Sequence, residues 1–382
     1  MRDRSALLRP MAEQRLMKDG LGERAVNRIA RSLKQVYPEF PENDFRTAAL
    51  NGLSSLELKD RTKHLMTVLH EYMPDHFEQT ANLFVKMKPH WDFGDPDDNL
   101  AGFAAWPIID YIGEYGLDHP EISLHALKEL TSLFSAEFAI RPFLIHHTAL
   151  TFQTLEKWIH DPDEHIRRLI SEGTRPRLPW GCRLPQFIEN PAPVFQCLEK
   201  LKDDPSEYVR RSVANNLNDI SKDHPEQVIS ICKKWKKGAK QHRNGIIKHA
   251  TRSLVKSGHP EIFGLLGFTE NPKLSFQSLE VSPPEIKLGE TIAFSFQLVS
   301  KSTEKQSIVI DYAIHHMKAN GKTAPKVFKF QTLEIGPGET IPLSKKHAIK
   351  PITTRNYYPG IHAVEILING KTFGQVPFRL SV

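Results

Sequence analysis

Residues 161–183 read DPDEHIRRLISEGTRPRLPWGCR, and this stretch indicates how the fold is built. Asp161 can accept hydrogen bonds from free backbone N–H groups, and Pro162 suits a first helical position. The apolar residues that recur at helical spacing are Ile166, Leu169 and Ile170. We therefore predict an N-capped amphipathic helix that ends at Gly173 and continues as a loop rich in Arg and Pro.

The same pattern returns later in the chain. DPSEYVRRSVAN at 204–215 aligns without gaps to DPDEHIRRLISE at 161–172, which is a step of 43 residues, and IIKHATRSL at 246–254 is a looser copy. Repeats of this length built from paired helices are typical of HEAT-like arrays, in which neighbouring pairs stack into a curved solenoid. Helical periodicity extends to about residue 265, whereas residues 1–23 are mixed and charged and are predicted to precede the first firm helix.

A change of period separates a second domain. Ile292, Phe294, Phe296 and Leu298 alternate with polar residues, and the dipeptides Asn320-Gly321 and Asn369-Gly370 are typical of hairpin turns. Short alternating strands over about 105 residues predict a β-sandwich of immunoglobulin type without its disulfide. The sequence thus predicts an all-α HEAT-like solenoid at 1–268 and an all-β immunoglobulin-like sandwich at 276–382.

The basic residues are concentrated in one region. The chain carries 51 Lys and Arg against 45 Asp and Glu, a net charge of +6. Residues 151–260 hold 20 basic and 13 acidic side chains, so the excess of positive charge lies there. Such a distribution is typical of a nucleic-acid surface, although part of any HEAT array's arginines tie neighbouring repeats together. The predicted DNA-binding residues are Arg141, Arg168, Arg175, Arg177, Arg210, Arg211, Lys248 and Arg252.

Three acidic residues stand out against this basic background. Glu137 lies among aromatic residues in a segment predicted to be a buried helix, where an ion pair with Arg141 is the alternative role. Glu172 faces the negative end of its helix, which indicates either another purpose or a partner in Arg175. Asp219 follows an Asn-rich run that fits a polar groove. Trp180 is either a core residue or an exposed stacking residue, and its Pro- and Arg-rich setting favours exposure.

Several classes of protein are disfavoured. Three cysteines without metal-type spacing support neither a disulfide framework nor a zinc site, and no cofactor motif is present. No apolar run has the length of a membrane span, and the N-terminus lacks a signal-peptide core. We expect a cytoplasmic monomer that uses no metal or cofactor.

Three motifs resemble one family. SAEFAIRPFL at 135–144, RRLISEGTRPRLPW at 167–180 and YVRRSVANNLND at 208–219 are similar to motifs of the AlkC-type alkylpurine DNA glycosylases of bacteria. That family is related to the AlkD-type enzymes and shares their HEAT-like fold. The resemblance covers residues from about 11 to 265, and some members also carry a C-terminal immunoglobulin-like domain.

The resemblance implies roles for particular residues. Glu137 would be the main catalytic carboxylate, and Glu172 and Asp219 would complete an acidic cleft around the damaged nucleotide. Trp180 would contact the lesion. Trp106 and Asp110 have a spacing known from the AlkD-type branch, but we interpret that pair as structural because the AlkC-type motifs place the acids elsewhere.

The implied function is excision of 3-methyladenine or 3-methylcytosine from alkylated duplex DNA of the bacterial nucleoid. Such bases are already cationic and leave without a general acid, so carboxylates suffice to stabilise the oxocarbenium-like sugar and position water. The resemblance further implies that the base stays stacked in the duplex. The alternative is a non-catalytic HEAT array that binds DNA or protein. The basic surface fits this alternative equally well, but the acid cluster fits it poorly because acids repel phosphates.

Overall fold

A computed structural model describes residues 16–382 of the chain. Within that range, helices occupy the chain as far as Leu265 and strands occupy it from Leu274 onwards, which confirms the predicted order of an all-α part and an all-β part. Part of the predicted irregular start, residues 1–15, lies outside the described residues. None of the described helices is both long and apolar enough to cross a lipid bilayer.

Sixteen α-helices are present in the described residues, besides four short 3₁₀ segments. The helices are α1 Glu23–Val36, α2 Glu42–Leu50, α3 Leu58–Tyr72, α4 Phe77–Met87, α5 Trp106–Tyr115, α6 Pro120–Leu130, α7 Arg141–His146, α8 Thr148–Trp158, α9 Glu164–Gly173, α10 Pro185–Glu189, α11 Ala192–Leu201, α12 Glu207–Ile220, α13 Pro225–Lys236, α14 Gln241–Ala250, α15 Arg252–Lys256 and α16 Pro260–Leu265. The 3₁₀ segments are Met17–Leu21, Leu53–Ser55, Lys88–His90 and Ala101–Ala105.

The two clearest repeat copies become α9 and α12, whose first residues are also 43 positions apart. The predicted stripe of α9 is buried. Its predicted N-cap is displaced by two residues, because the helix begins at Glu164 and Asp163 accepts from the His165 N–H at 2.8 Å. Asp161 instead accepts from the Asp163 N–H at 3.0 Å in a turn before the helix.

Arginines at one repeat position hold the helix starts together. The guanidinium Nη1 of Arg167 donates to the carbonyls of Asp161 and Pro162, and that of Arg210 donates to the carbonyls of Asp204 and Pro205. Arg167 also forms a two-pronged ion pair with Asp204, at 2.7 and 3.0 Å, and so joins one repeat copy to the next. Arg167 and Arg210 are therefore scaffold residues, as expected for part of the arginines in such an array.

The β part consists of two sheets. Its strands are β1 Leu274–Ser282, β2 Glu285–Lys287, β3 Thr291–Ser300, β4 Gln306–Met317, β5 Thr323–Ile335, β6 Thr340–Ala348, β7 Gly360–Ile368 and β8 Lys371–Ser381. One sheet has the order β1-β3-β6 and the other β2-β8-β7-β4-β5, and all neighbours are antiparallel except β2 and β8. The alternating apolar residues of β3 are buried between the sheets.

The predicted turns connect the strands. Asn369 and Gly370 have φ of 46° and 73°, as a two-residue turn between β7 and β8 requires. Gly321 has φ of 74° between β4 and β5.

The chain divides into two compact units, one ending at Asp219 and the other running from Ile220 to Val382. The second unit therefore contains α13 to α16 together with the strands. The limits 1–268 and 276–382 follow the change of secondary structure instead, and we retain them as a proposal for the domain boundaries.

Candidate active site

The three predicted acids come from two helices and one turn of the first compact unit. Glu172 lies in the last turn of α9, and Asp219 lies near the end of α12. Glu137 lies in a turn at 136–140 and not in the predicted helix, because helix α7 begins only at Arg141, with Pro142 in its first turn. The packing of these elements brings all three carboxylates into one network with Arg168 and Arg175.

Arg175 links two of the carboxylates. Its Nη1 donates to Glu172 Oε1 at 2.5 Å and its Nε donates to Asp219 Oδ2 at 2.8 Å. All three residues are buried, and the Ser212 hydroxyl donates to Glu172 Oε2 at 2.6 Å. Burial alone lowers the pKa of the Arg175 guanidinium, but the charges and hydrogen bonds of Glu172 and Asp219 outweigh it and raise that pKa above its ordinary value. The predicted partnership of Glu172 with Arg175 is confirmed.

Arg168 links the network to the third carboxylate. Its Nη1 lies 2.9 Å from Glu137 Oε2 and donates to Ser135 Oγ at 2.8 Å, while its Nη2 lies 3.8 Å from Glu172 Oε2. The Ser135 hydroxyl in turn donates to Glu137 Oε2 at 2.8 Å. Among the described residues, Glu137 Oε1 receives no hydrogen bond. One oxygen of Glu137 is thus held and the other is open.

The five side chains of the network include more acidic than basic groups. Three carboxylates and two guanidinium groups leave one net negative charge when all five side chains are ionised. Glu137 is the most accessible of the acids, with 14% of its side chain exposed against 6% for Glu172 and 3% for Asp219. In a protein interior such charge acts more strongly than in water, so the open oxygen of Glu137 favours a cation placed beside it.

Two of the predicted DNA-contact arginines are buried inside the protein. Arg141 is fully buried, and its donors are taken by the backbone carbonyls of Gly173, Arg175 and Cys182. Arg175 is also buried, between its two carboxylates. Neither guanidinium can reach a phosphate without leaving these partners, so we propose structural roles for both. The alternative pairing of Glu137 with Arg141 is wrong as well, since Glu137 pairs with Arg168.

The other predicted DNA contacts lie nearer to solvent. Arg177 is half-buried in the loop after α9, and Arg211 is exposed on α12, where it pairs with Glu207 at 2.9 Å. In the second unit, Lys248 is exposed on α14 and Arg252 is half-buried on α15. These four remain proposals for phosphate contact. Arg168 and Arg210 make the contacts given above.

Trp180 lies in the loop after α9 and is 54% exposed. Its φ of 66° is unusual for a bulky residue, and the Lys59 ammonium donates to its carbonyl at 2.5 Å, which helps to hold the loop. The exposed position excludes the core role and favours the stacking role. Trp180 borders a cavity of about 340 Å³ that is also lined by Trp106, Asp110 and Phe138, the residue next to Glu137.

Asp110 is the most perturbed acid of that cavity. The Trp106 indole N–H donates to Asp110 Oδ2 at 2.7 Å, yet burial raises the pKa of this carboxyl to about 7. The bond between the two side chains supports the structural interpretation of the pair. The sequence spacing of Trp106 and Asp110 did not indicate that this pair lies beside Trp180.

The raised pKa predicts a pH-dependent stability. A carboxyl of pKa 3.8 is ionised in the unfolded chain above that pH, whereas Asp110 stays protonated in the folded protein up to about pH 7. The stability that this proton contributes is therefore lost as the pH rises to 7. Asp110→Asn stays neutral at both pH values and can still accept from Trp106. Its free energy of unfolding relative to that of the natural protein should therefore increase by about 2 kcal/mol when the pH is raised from 5 to 8. Thermal unfolding of both proteins at pH 5 and at pH 8 tests this. The same stability difference between the two proteins at both pH values would contradict it.

Sequence reasoning missed three neighbours of the acids: Ser135, Ser212 and Tyr208. Each lies inside a quoted motif, but nothing in a single sequence distinguishes a serine that touches a carboxylate from one that faces water. Only Tyr208 carried a signal, as a large aromatic residue at an exposed repeat position.

Comparison with known proteins supports one family. Residues 275–382 match the family model "Uncharacterised protein YhaZ, C-terminal Ig-like domain". The chain is 36% identical over 365 residues to the uncharacterised protein YhaZ of Bacillus subtilis, covering 95% of this chain and 99% of that protein. Its structure matches that of the alkylpurine DNA glycosylase AlkC of Pseudomonas fluorescens bound to DNA containing an abasic site analogue, with a TM-score of 0.89, 38% identity and coverage of 96% and 100% of the two chains.

Proposed function

Because the chain belongs to the AlkC family of alkylpurine DNA glycosylases, we propose that it hydrolyses the N-glycosidic bond of cationic N3-alkylated bases, 3-methyladenine and 3-methylcytosine, in duplex DNA. The observation that carries this proposal is the cluster of three carboxylates with one open oxygen at Glu137. The proposed partner is alkylated duplex DNA, bound by a monomer.

The substrate chemistry requires little more than this cluster. A base that is already cationic departs as a neutral molecule, so no group has to protonate it. Positive charge moves onto the sugar as the bond stretches, and fixed carboxylates nearby stabilise that charge, as they do in enzymes that cleave other glycosidic bonds. We assign Glu137 Oε1 to the sugar or the attacking water, since its other oxygen is held by Ser135 and Arg168.

The buried acids act at longer range. Glu172 and Asp219 are fixed by Arg175, and Ser212 fixes Glu172 further, so neither carboxylate has to reorganise during the reaction. A fixed negative charge of this kind stabilises the transition state more than a mobile one does, because it does not have to reorient as the reaction proceeds. Glu172 and Asp219 therefore stabilise the positive charge on the sugar from a distance, and Glu137 contacts the sugar or the attacking water.

We propose that the lesion stays in the base stack and that Trp180 contacts its nucleotide from outside. An indole that is 54% exposed at the rim of a cavity is suited to a surface contact with deoxyribose. We propose phosphate contacts for Arg177 and Arg211 and, separately, for Lys248 and Arg252 of the second compact unit. Contacts of this kind make the affinity fall with rising salt.

The activity can be tested directly with the natural protein. Incubation with a duplex containing one 3-methyladenine or 3-methylcytosine should release the free base and leave an abasic site, and the undamaged duplex should remain intact. The rate should be unchanged by a chelator. Binding of the duplex without release of any base over several hours would contradict the proposal and favour the non-catalytic DNA-binding module.

A further inference from the structure

Tyr208 is a large aromatic residue beside the acid cluster that has no role in the reaction described so far. It lies in the first turn of α12 and is 40% exposed. The guanidinium carbon Cζ of Arg168 lies over its ring, 4.7 Å from the ring centroid. His165, which occupies the same position in the preceding repeat copy, packs edge-on against the ring at 5.6 Å.

The ring touches Arg168, the arginine that holds Glu137. A free arginine side chain samples many rotamers, and contact with an aromatic face removes much of that freedom. Burial raises the pKa of the Tyr208 phenol, so the ring is neutral at physiological pH and attracts the guanidinium through its face. With the guanidinium plane set in this way, Nη1 of Arg168 is directed at Ser135 and Glu137.

We infer that Tyr208 is a positioning residue: its ring holds Arg168, and Arg168 holds Glu137 Oε2 so that Oε1 faces the reacting sugar. This inference rests on the proposed glycosylase function. The ring contact acts through Arg168 and Glu137 and does not require Tyr208 to touch DNA. Its effect therefore belongs to the chemical step and not to the affinity for DNA.

The test separates the chemical step from binding. Single-turnover rates of base release and dissociation constants for an abasic-analogue duplex are measured for the natural protein, Tyr208→Ala and Tyr208→Phe. Tyr208→Ala should reduce the rate about tenfold, the effect of losing a cation–π contact of ordinary strength, with the dissociation constant changed less than twofold. Tyr208→Phe, which keeps the ring, should retain the natural rate. Phe93→Ala removes a ring of 65% exposure elsewhere and serves as the matched control.

A double-variant cycle identifies the path. If Tyr208 acts through Arg168, adding Tyr208→Ala to Arg168→Met should reduce the rate no further, and circular dichroism of each variant confirms that it is folded. An unchanged rate in Tyr208→Ala, a weakened affinity without a rate effect, or equal losses in the Ala and Phe variants would overturn the inference. If the natural protein releases no base at all, the proposed function itself fails, which is a distinct outcome.

Discussion

Glu137→Gln should release 3-methyladenine and 3-methylcytosine at least about 100-fold more slowly than the natural protein, while the affinity for the duplex stays within a few fold. Loss of one preorganised electrostatic contact with a transition state has effects of this order. Glutamine preserves the shape of the side chain and an acceptor for the Ser135 hydroxyl. It removes only the charge, so the cluster around Arg168 and Arg175 becomes neutral. Single-turnover rates on defined lesion duplexes measure the effect.

The chain provides a matched control for that substitution. Glu207→Gln removes an equally charged side chain from α12, but this one is 74% exposed and paired with Arg211 at the surface. Its rate should be within twofold of the natural protein. If Glu137→Gln released the base as fast as this control, Glu137 would not be the main catalytic carboxylate.

Arg175→Met should be one of the most destabilising single substitutions in the first compact unit. It leaves Glu172 and Asp219 buried with neither of the ion pairs to Arg175, and breaking a buried ion pair in this way costs about 3–5 kcal/mol of unfolding free energy. For a unit of this size, such a loss lowers the midpoint of thermal unfolding by roughly 6 °C or more. Differential scanning calorimetry of the full chain measures the shift.

An exposed arginine of the same repeat allows comparison. Arg211→Met removes an ion pair in which both side chains are largely exposed, and such pairs contribute about 0–1 kcal/mol. Its unfolding midpoint should stay within about 2 °C of the natural value. Equal shifts for the two variants would show that Arg175 is not a buried structural link and would reopen its predicted role in DNA contact.

The architecture could be predicted from the sequence because it depends on short-range patterns. The 43-residue step between the copies beginning at Asp161 and Asp204, and the alternation along β3, are both properties of neighbouring residues. Even there, the helix at Glu137 was misplaced. An apolar run resembles a buried helix whether it forms a helix or a buried turn, and only the packing around it selects between them.

The roles of the charged residues could be predicted less well. The sequence shows that Arg141, Arg175 and Arg211 are basic, but it does not show that the first two are buried and the third is exposed. Burial of a guanidinium depends on whether carbonyls or carboxylates from distant segments meet its donors. For Arg141 these partners are 32 to 41 residues away, and for Arg175 the partner Asp219 is 44 residues away.

The sequence by itself determined the two fold classes, the repeat, and the identity of the three acids as candidates, because periodicity and local motif chemistry are written into consecutive residues. Only the tertiary structure decided that Arg168 and Arg175 pair with those acids, that one oxygen of Glu137 stays open, and that the Tyr208 ring lies against the arginine that pairs with the other. The reason is physical: the charge and direction of a side chain in a cluster depend on partners that only the stacking of successive repeats brings within 3 Å.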